Sequence, residues 1–335
     1  MPAIADVARL AGVSKATASR ALSGRGYVSD ETRLRVTAAA TKIGYIASPN
    51  AASLVTGRTQ SIGVIIPFVN RWFFGEVLEG VERALLDAKY DLTLYNLTFG
   101  GAERDRIFEF FLARKRVDAI IAVSVELTKP ESDRLIEQGK PVVAIGGWIP
   151  GSTTLTIDEV AAGRLATEHL IHLGHRTIAH IGGEDAATEP LSVHGQRWRG
   201  YRSALEHAGI DGSTTLAAMS MPGGYTAALQ VLGDPRQRPT AIFAACDEIA
   251  FGVFLAAERL GLEIPRDLSV IGIDGHEYSE MYGLTTVEQF PGDQGRAAVA
   301  TTMTLLDPHD DTVPPPHTTM PVRLVVRSST AAPAR

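Results

Sequence analysis

The sequence predicts an all-α helix-turn-helix headpiece joined to a two-lobed α/β body. Three observations carry this. The first 45 residues hold three short helical patterns separated by glycine-containing turns. From residue 61 onward, strand-like apolar runs alternate with amphipathic helical patterns in two successive sets. The charge is divided between these parts: residues 1–58 carry eight basic side chains against three acidic, a net +5, whereas the rest carries 24 against 35, a net −11. A small basic head on a large acidic body is the asymmetry expected when one domain meets nucleic-acid phosphate.

The first helical pattern, Ile4–Ala11, places Ile4, Val7, Ala8 and Ala11 on one face. Gly12 ends it and Val13 is expected as a buried pivot. Ser14 can cap the second helix, Lys15–Leu22, by accepting an orphan amide proton. Gly24-Arg25-Gly26 breaks that helix, and Ser29-Asp30-Glu31-Thr32 opens a third that runs to about Gly44. Helix, tight turn, helix at this spacing is the helix-turn-helix pattern. Its second helix must be short and rich in small residues to enter the major groove. Lys15, Ala16, Thr17 and Arg20 occupy its outward positions; Arg20 suits guanine by two hydrogen bonds and Ala16 a thymine methyl.

The unbroken stretch from Ile4 to Leu22, with its Ala11-Gly12-Val13-Ser14-Lys15-Ala16-Thr17 centre, resembles the headpiece of the lactose/galactose (LacI/GalR) repressor family, as do Thr32-Arg33 and Gly44-Tyr45. The resemblance implies that Lys15, Ala16 and Arg20 read bases and that Ser14 and Thr17 contact phosphate. It also implies a homodimer on a pseudo-palindromic double-stranded operator, one headpiece per half-site.

A linker follows at residues 47–59. Ser48 before Pro49 reads as a cap followed by a first-turn proline, and Gly57 stops a helix of under two turns. So short a helix needs a partner to persist. The segment resembles the hinge helix of the same family, which implies a minor-groove role for Ala51 and a base-step wedge for Leu54. It departs from the family at Ala47, where a proline is usual, and at Ala52, where an arginine is usual.

The body begins with the apolar run Ile62–Pro67. Helix Gly75–Tyr90, strand Asp91–Asn96, helix Ala102–Lys115, strand Asp118–Ser124, helix Glu131–Gly139 and strand Pro141–Gly146 follow. The second set reads helix Val160–Leu173, strand Thr177–Ile181, helices Gly195–Ala208 and Tyr225–Leu232, strand Thr240–Ala245, helix Glu248–Leu260 and strand Leu268–Ile273. Such alternation predicts parallel sheets with helices on both faces, and a ligand site at carboxyl ends of strands between the lobes.

The body, too, resembles that family, through segments such as Phe73-Phe74-Gly75-Glu76, Arg197-Trp198-Arg199-Gly200-Tyr201, Val270-Ile271-Gly272-Ile273-Asp274 and Leu284-Thr285-Thr286-Val287-Glu288-Gln289. The resemblance implies a periplasmic-binding-protein-like effector domain over residues 60–335, after a headpiece at 1–46. The chain would cross between lobes near Asp158, Phe290 and Thr319. The N-terminal lobe would then hold about 60–158 and 291–318, and the C-terminal lobe about 159–290 and 319–335. Candidate effector contacts are Arg197 and Asp274 first, whose counterparts hydrogen-bond ligand polar groups, with Phe73 and Phe74 as stacking surfaces. Trp148, Asp158, Cys246, Asp247 and Gln289 are further candidates. Gly146-Gly147 stands where the family usually has a ligand-binding aspartate, and Cys246 where asparagine is common.

These readings predict a transcriptional regulator, read as a repressor, controlled by a small molecule of which a sugar is the first choice. A purine or nucleoside effector is the alternative, and a plain solute-binding protein is the alternative from another class. No enzyme activity and no cofactor are expected: neither a glycine-rich phosphate loop nor a nucleophile elbow is present. His169, His172 and His175 fall at helical spacing but lack an accompanying cysteine or carboxylate set, so no metal is expected. The single cysteine, the strand-sized apolar run at Ile62–Val69 and an N-terminus without signal-peptide character predict a cytoplasmic protein with no membrane partner.

Overall fold

A computed structural model of the protein describes residues 2–23, 26–45, 58–97, 104–106, 108–109, 116–183, 192–307, 309 and 312–334. Of the expected hinge and linker at 47–59, residues 47–57, with Ala51 and Leu54, lie outside the described residues, as do parts of the expected helix Ala102–Lys115.

The chain forms two compact units. The headpiece contains α1 (Ile4–Ala11), α2 (Lys15–Ser23) and α3 (Asp30–Lys42). Val7, Ala8 and Ala11 of α1, Ala18 and Ala21 of α2, and Val36, Ala39 and Ala40 of α3 close one small core. Most of these are alanines, so the helices approach closely without bulky side chains. Gly12 ends α1 with φ 66°, a left-handed cap that lets Val13 donate back to Ala8 O at 3.0 Å. Val13, expected to be buried, is half-buried. The third helix stops at Lys42 rather than at about Gly44, because Gly44 adopts φ 63° and leaves the helical region.

The second unit, the body, holds two six-stranded sheets. The first comprises β1 (Ser61–Ile66), β2 (Asp91–Asn96), β3 (Ala119–Val123), β4 (Val142–Ile145), β5 (Thr153–Thr156) and β11 (His317–Thr319), in the order β2-β1-β3-β4-β5-β11. The second comprises β6 (Ile178–Gly182), β7 (Gly212–Leu216), β8 (Ala241–Ala244), β9 (Ser269–Asp274), β10 (Thr285–Glu288) and β12 (Arg323–Val325), in the order β7-β6-β8-β9-β10-β12. Both sheets therefore repeat one doubly wound order, with β12 antiparallel to β10. The central strands β1, β3 and β4 are buried throughout, which is why they read as continuous apolar runs.

The helices are α4 (Trp72–Asp87), α5 (Lys129–Ile136), α6 (Glu159–His172), α7 (Val193–Ala208), α8 (Met221–Leu232), α9 (Asp247–Arg259) and α10 (Pro291–Leu306). The chain passes between sheets after β5, after β10 and after β11. After β10 it turns through Phe290, at φ 53° and ψ 60°, into α10, which packs on α4 of the first lobe. Helices α6 and α7 touch backbone to backbone. A Cβ on Gly163 would collide with Arg197 O, and one on Gly200 with Val160 O. That contact fixes where Arg197 stands.

Helix α8 starts at Met221, four residues before the expected Tyr225. Met221-Pro222-Gly223-Gly224 looks like a loop, yet proline is tolerated in a first turn, where its missing N–H is not needed. Gly224 is there because the Ile249 backbone leaves no room for a side chain. The short strands β5, β7, β11 and β12 escape a periodicity reading: three or four residues hold too few alternations, and β7 is an edge strand of mostly exposed polar residues.

Candidate functional site

Helix α2 displays the face that would meet DNA. Ser14, Lys15, Ala16 and Arg20 are exposed, Thr17 is half-buried, and Ala18 and Ala21 point into the core. Ser14 Oγ accepts from Thr17 N at 3.1 Å and lies 2.9 Å from Thr17 Oγ1, so the cap also fixes both hydroxyls at the helix N-terminus. Such an N-terminus attracts phosphate through its unsatisfied N–H groups. Arg20 is exposed and donates from Nε to Ala16 O at 3.3 Å.

In the body, a cavity of about 1860 Å³ is lined by both lobes. Its walls are the ends of β1, β3 and β4 and the start of α4 from one lobe, and the ends of β8, β9 and β10 with the start of α7 from the other. These are carboxyl ends of parallel strands, where helix N-termini and turning loops leave polar groups free to converge.

The floor of the cavity is a buried charged cluster. Arg197, 4% exposed, donates from Nε to Glu159 Oε2 at 2.7 Å and from Nη1 to Ala245 O at 2.6 Å. Its Nη1 is 3.6 Å from Asp274 Oδ1. Gln289 Nε2 donates to the same Oδ1 at 2.6 Å, and Gln294 Nε2 donates to Gln289 O at 2.8 Å. One guanidinium thus stands between two carboxyls. Burial pushes Glu159 and Asp274 upward, Asp274 to about 8 against the pull of Arg197, with Asp247 adding to its rise. The two carboxyls in turn hold Arg197 firmly charged against its own burial. Asp274 sits at φ 143°, a conformation side-chain-bearing residues avoid, at a cost on the order of 1–3 kcal/mol. Such strain collects where a side chain must be aimed.

Seven of the expected effector residues line this cavity: Phe73, Phe74, Trp148, Arg197, Cys246, Asp274 and Gln289. Phe73 and Phe74 lie on the first turn of α4 with ring centroids 5.3 Å apart. Asp158 and Asp247 do not line it. The Asp158 carboxylate caps α6, accepting from Ala161 N at 2.8 Å. Asp247 is wholly buried at the start of α9 and accepts from Gly275 N, His276 N, Ser279 Oγ and Thr286 Oγ1. It organises the loop after β9 instead of facing a ligand. Sequence reasoning missed Glu159, which pairs with Arg197 from 38 residues away, and the buried pair Arg104–Glu131 at 2.8 Å on the opposite wall. No local pattern announces either pair. His169 and His175 hold the C-terminal segment: His169 Nε2 lies 2.9 Å from Thr330 Oγ1, and His175 Nε2 donates to Ala331 O at 2.9 Å. Among the described residues, no helix is long and apolar enough to cross a membrane.

Comparison with known proteins agrees with both parts. Residues 3–49 match the model of bacterial regulatory proteins of the lacI family, and residues 167–330 that of the periplasmic binding protein-like domain. The chain is 35% identical over 311 residues to the ribose operon repressor of Escherichia coli (strain K12), covering 89% of this chain and 91% of the relative. Its structure resembles that of the lac repressor dimer bound to operator and the anti-inducer ONPF, with a TM-score of 0.87, 26% identity and 99% of both chains covered. It also resembles a LacI family regulator of Enterococcus faecium with bound ribose, with a TM-score of 0.71 and 27% identity over 81% of this chain and 99% of that one. The chain therefore belongs to the lacI family of bacterial regulatory proteins and is a DNA-binding transcriptional regulator.

Proposed function

We propose that the protein is a cytoplasmic repressor that binds a pseudo-palindromic operator as a homodimer and is controlled by a sugar held between the lobes of its body. Lys15, Ala16 and Arg20 read base edges, Ser14 and Thr17 hold phosphates, and Ala51 and Leu54 enter the minor groove. Arg197, Asp274 and Gln289 take sugar hydroxyls, while Phe73 and Phe74 meet the apolar face of the ring; Trp148, at the exposed mouth, and Cys246 complete the effector wall.

The observation that carries this reading is the pairing, in one chain, of an exposed polar helix face on a basic head with a floor of alternating donors and acceptors in a two-lobed body. A polyhydroxylated ligand needs donors and acceptors side by side, and this cluster supplies both. The carboxyls at the floor act as binding groups engaged by Arg197 and Gln289, so the body is read as a receptor and not as an enzyme. Dimerisation is supported by exposed Leu255, Tyr278, Met281 and Tyr282 on the C-terminal lobe, a patch suited to a second copy of the chain. Ligand shifts the protein between DNA-competent and incompetent states only as far as its affinity for the two states differs.

The test is a fluorescence-anisotropy titration on DNA upstream of the gene and its neighbours, with and without a sugar panel. Tight, salt-sensitive binding that one sugar changes is the expected result. Absence of site-specific binding would overturn the regulatory reading; binding changed by a purine or nucleoside and by no sugar would overturn the effector class alone.

A further inference from the structure

We propose that the cavity takes an uncharged saccharide of at least two rings, its inner ring held at the Arg197–Asp274–Gln289 floor and its outer ring laid on Trp148. The inference rests on the sugar reading of the cavity and narrows it.

Size is the first argument. The cavity volume of about 1860 Å³ exceeds the roughly 300–1,000 Å³ of sites built for one small ligand. Depth is the second. Arg197 and Asp274 are 4% and 6% exposed, whereas Trp148 is 75% exposed, yet all three line the same cavity. The arginine and aspartate form a closed floor and the tryptophan stands at the mouth, so a ligand touching both spans the cavity from its buried to its open side. An indole that remains exposed within a binding cavity is an apolar platform without a partner, and the C–H face of a pyranose supplies one.

The wall between them has room for the link. Strand β4 runs out into Gly146-Gly147, directly before Trp148, and no side chain projects there. A Cβ on Gly147 would meet nothing within 4 Å, so the wall is open there, and Gly146, at φ 66°, holds a backbone conformation that favours glycine.

Charge decides against an anionic sugar. Among the described lining residues, seven carboxyl-bearing side chains face four arginines. The two buried arginines are already engaged: Arg197 by Glu159, Asp274 and Ala245 O, and Arg104 by both oxygens of Glu131 and by Glu126 O. A phosphate or uronate would have to displace a carboxylate from its guanidinium in a low-dielectric site, leaving that charge unpaired. A neutral saccharide need only add hydroxyls to groups that still have acceptor capacity.

Isothermal titration calorimetry on the full chain tests this with glucose, galactose and ribose, with cellobiose, maltose and lactose, and with glucose 6-phosphate and glucuronate. At least one disaccharide should bind tenfold or more tightly than its component monosaccharides. Trp148→Ala should erase that gap by weakening the disaccharide about tenfold while changing monosaccharide binding less than about twofold, and Trp148→Phe should keep most of the gap. Melting of the ligand-free variants checks that they fold. A monosaccharide or a charged sugar binding tightest, or Trp148→Ala weakening rings of both lengths alike, overturns the proposal and leaves the sugar reading standing. Binding by none of the saccharides overturns both.

Discussion

Trp72 and His276 stack face to face, with ring centroids 4.6 Å and planes 25° apart, joining the first residue of α4 on one lobe to the loop after β9 on the other. His276 is wedged further by Phe251, edge-on at 5.0 Å, and its Nδ1 accepts from Tyr278 N, which leaves the other nitrogen to carry the proton of a neutral ring. Because the loop itself hangs on Asp247, the stack connects one lobe to a rigid part of the other. Trp72→Ala and His276→Ala should each lower stability, and a double-mutant cycle by urea unfolding should show coupling of about 0.5–1.5 kcal/mol. Additive effects would mean that the rings are neighbours without energetic connection.

Arg197 has a structural duty that its sequence position did not disclose. It is paired with Glu159 at 2.7 Å and stands 3.6 Å from Asp274, so Arg197→Ala leaves Glu159 and Asp274 without their neighbouring cation in a low-dielectric floor. Removing one partner of such a cluster costs about 3–5 kcal/mol, read as a lower urea midpoint. Adding Glu159→Gln to the variant should recover part of that loss, because one stranded carboxyl then disappears. Failure to recover would assign the loss to packing of the guanidinium instead.

How much of this was legible in sequence follows from how local each signal is. Helices α1 and α2 announce themselves through Gly12, Ser14 and a one-sided alanine pattern, all within a few residues. The strands β1 and β3 are legible because both faces are buried and the residues are apolar throughout. Asp274 and Arg197 were reached through resemblance, and the structure brings them within 3.6 Å of each other. Glu159 was not reached: a buried carboxylate beside a helix-capping aspartate looks like any first-turn acid until its distant partner is seen. Asp247 failed as a ligand candidate for the converse reason, since four donors from the loop after β9 and from β10 consume its acceptor capacity, and none of them is near it in sequence.

Arg20 should behave as a base reader. It is exposed on α2, and among the described residues its side chain hydrogen-bonds to its own helix, at Ala16 O. Arg20→Ala should therefore leave the melting temperature unchanged and cost about 1–3 kcal/mol at one base pair, relaxing specificity there. An equal loss on every DNA sequence, together with a shallower salt dependence, would make it a phosphate contact.

The α6–α7 contact should be intolerant of a single methyl. Gly163→Ala places a carbon against Arg197 O, a backbone atom that cannot rotate away. Overpacking of this kind typically costs 1–3 kcal/mol, and the accommodating shift of α7 would carry the guanidinium with it. Urea unfolding should register the destabilisation and calorimetry a weaker effector; normal values of both would show that the helices can part without consequence.

The buried titrating groups give the body a pH dependence whose two limbs have opposite signs. Burial pushes Asp274 up to about 8, from an ordinary value of 3.8. The folded protein then holds a proton that the unfolded chain releases between those values, so stability is complete below 3.8 and is lost as pH rises toward 8. Burial lowers His276 to about 4 and His180 to about 3, from 6.5. Here the unfolded chain takes the proton first, so their contribution is present above 6.5 and is lost as pH falls toward 4 and 3. Between pH 6.5 and 8 these histidines are silent and the carboxyl acts against them. Melting should therefore become easier as pH rises through that window, with a slope of at most about 1.4 kcal/mol per pH unit for one proton. Asp274→Asn should flatten this limb and leave the acid limb of the histidines in place. A wild-type melting temperature that stays level from pH 6.5 to 8 would mean that Arg197 keeps Asp274 ionised, and the floor would then meet its ligand as an ion pair instead of as a guanidinium beside a neutral acid.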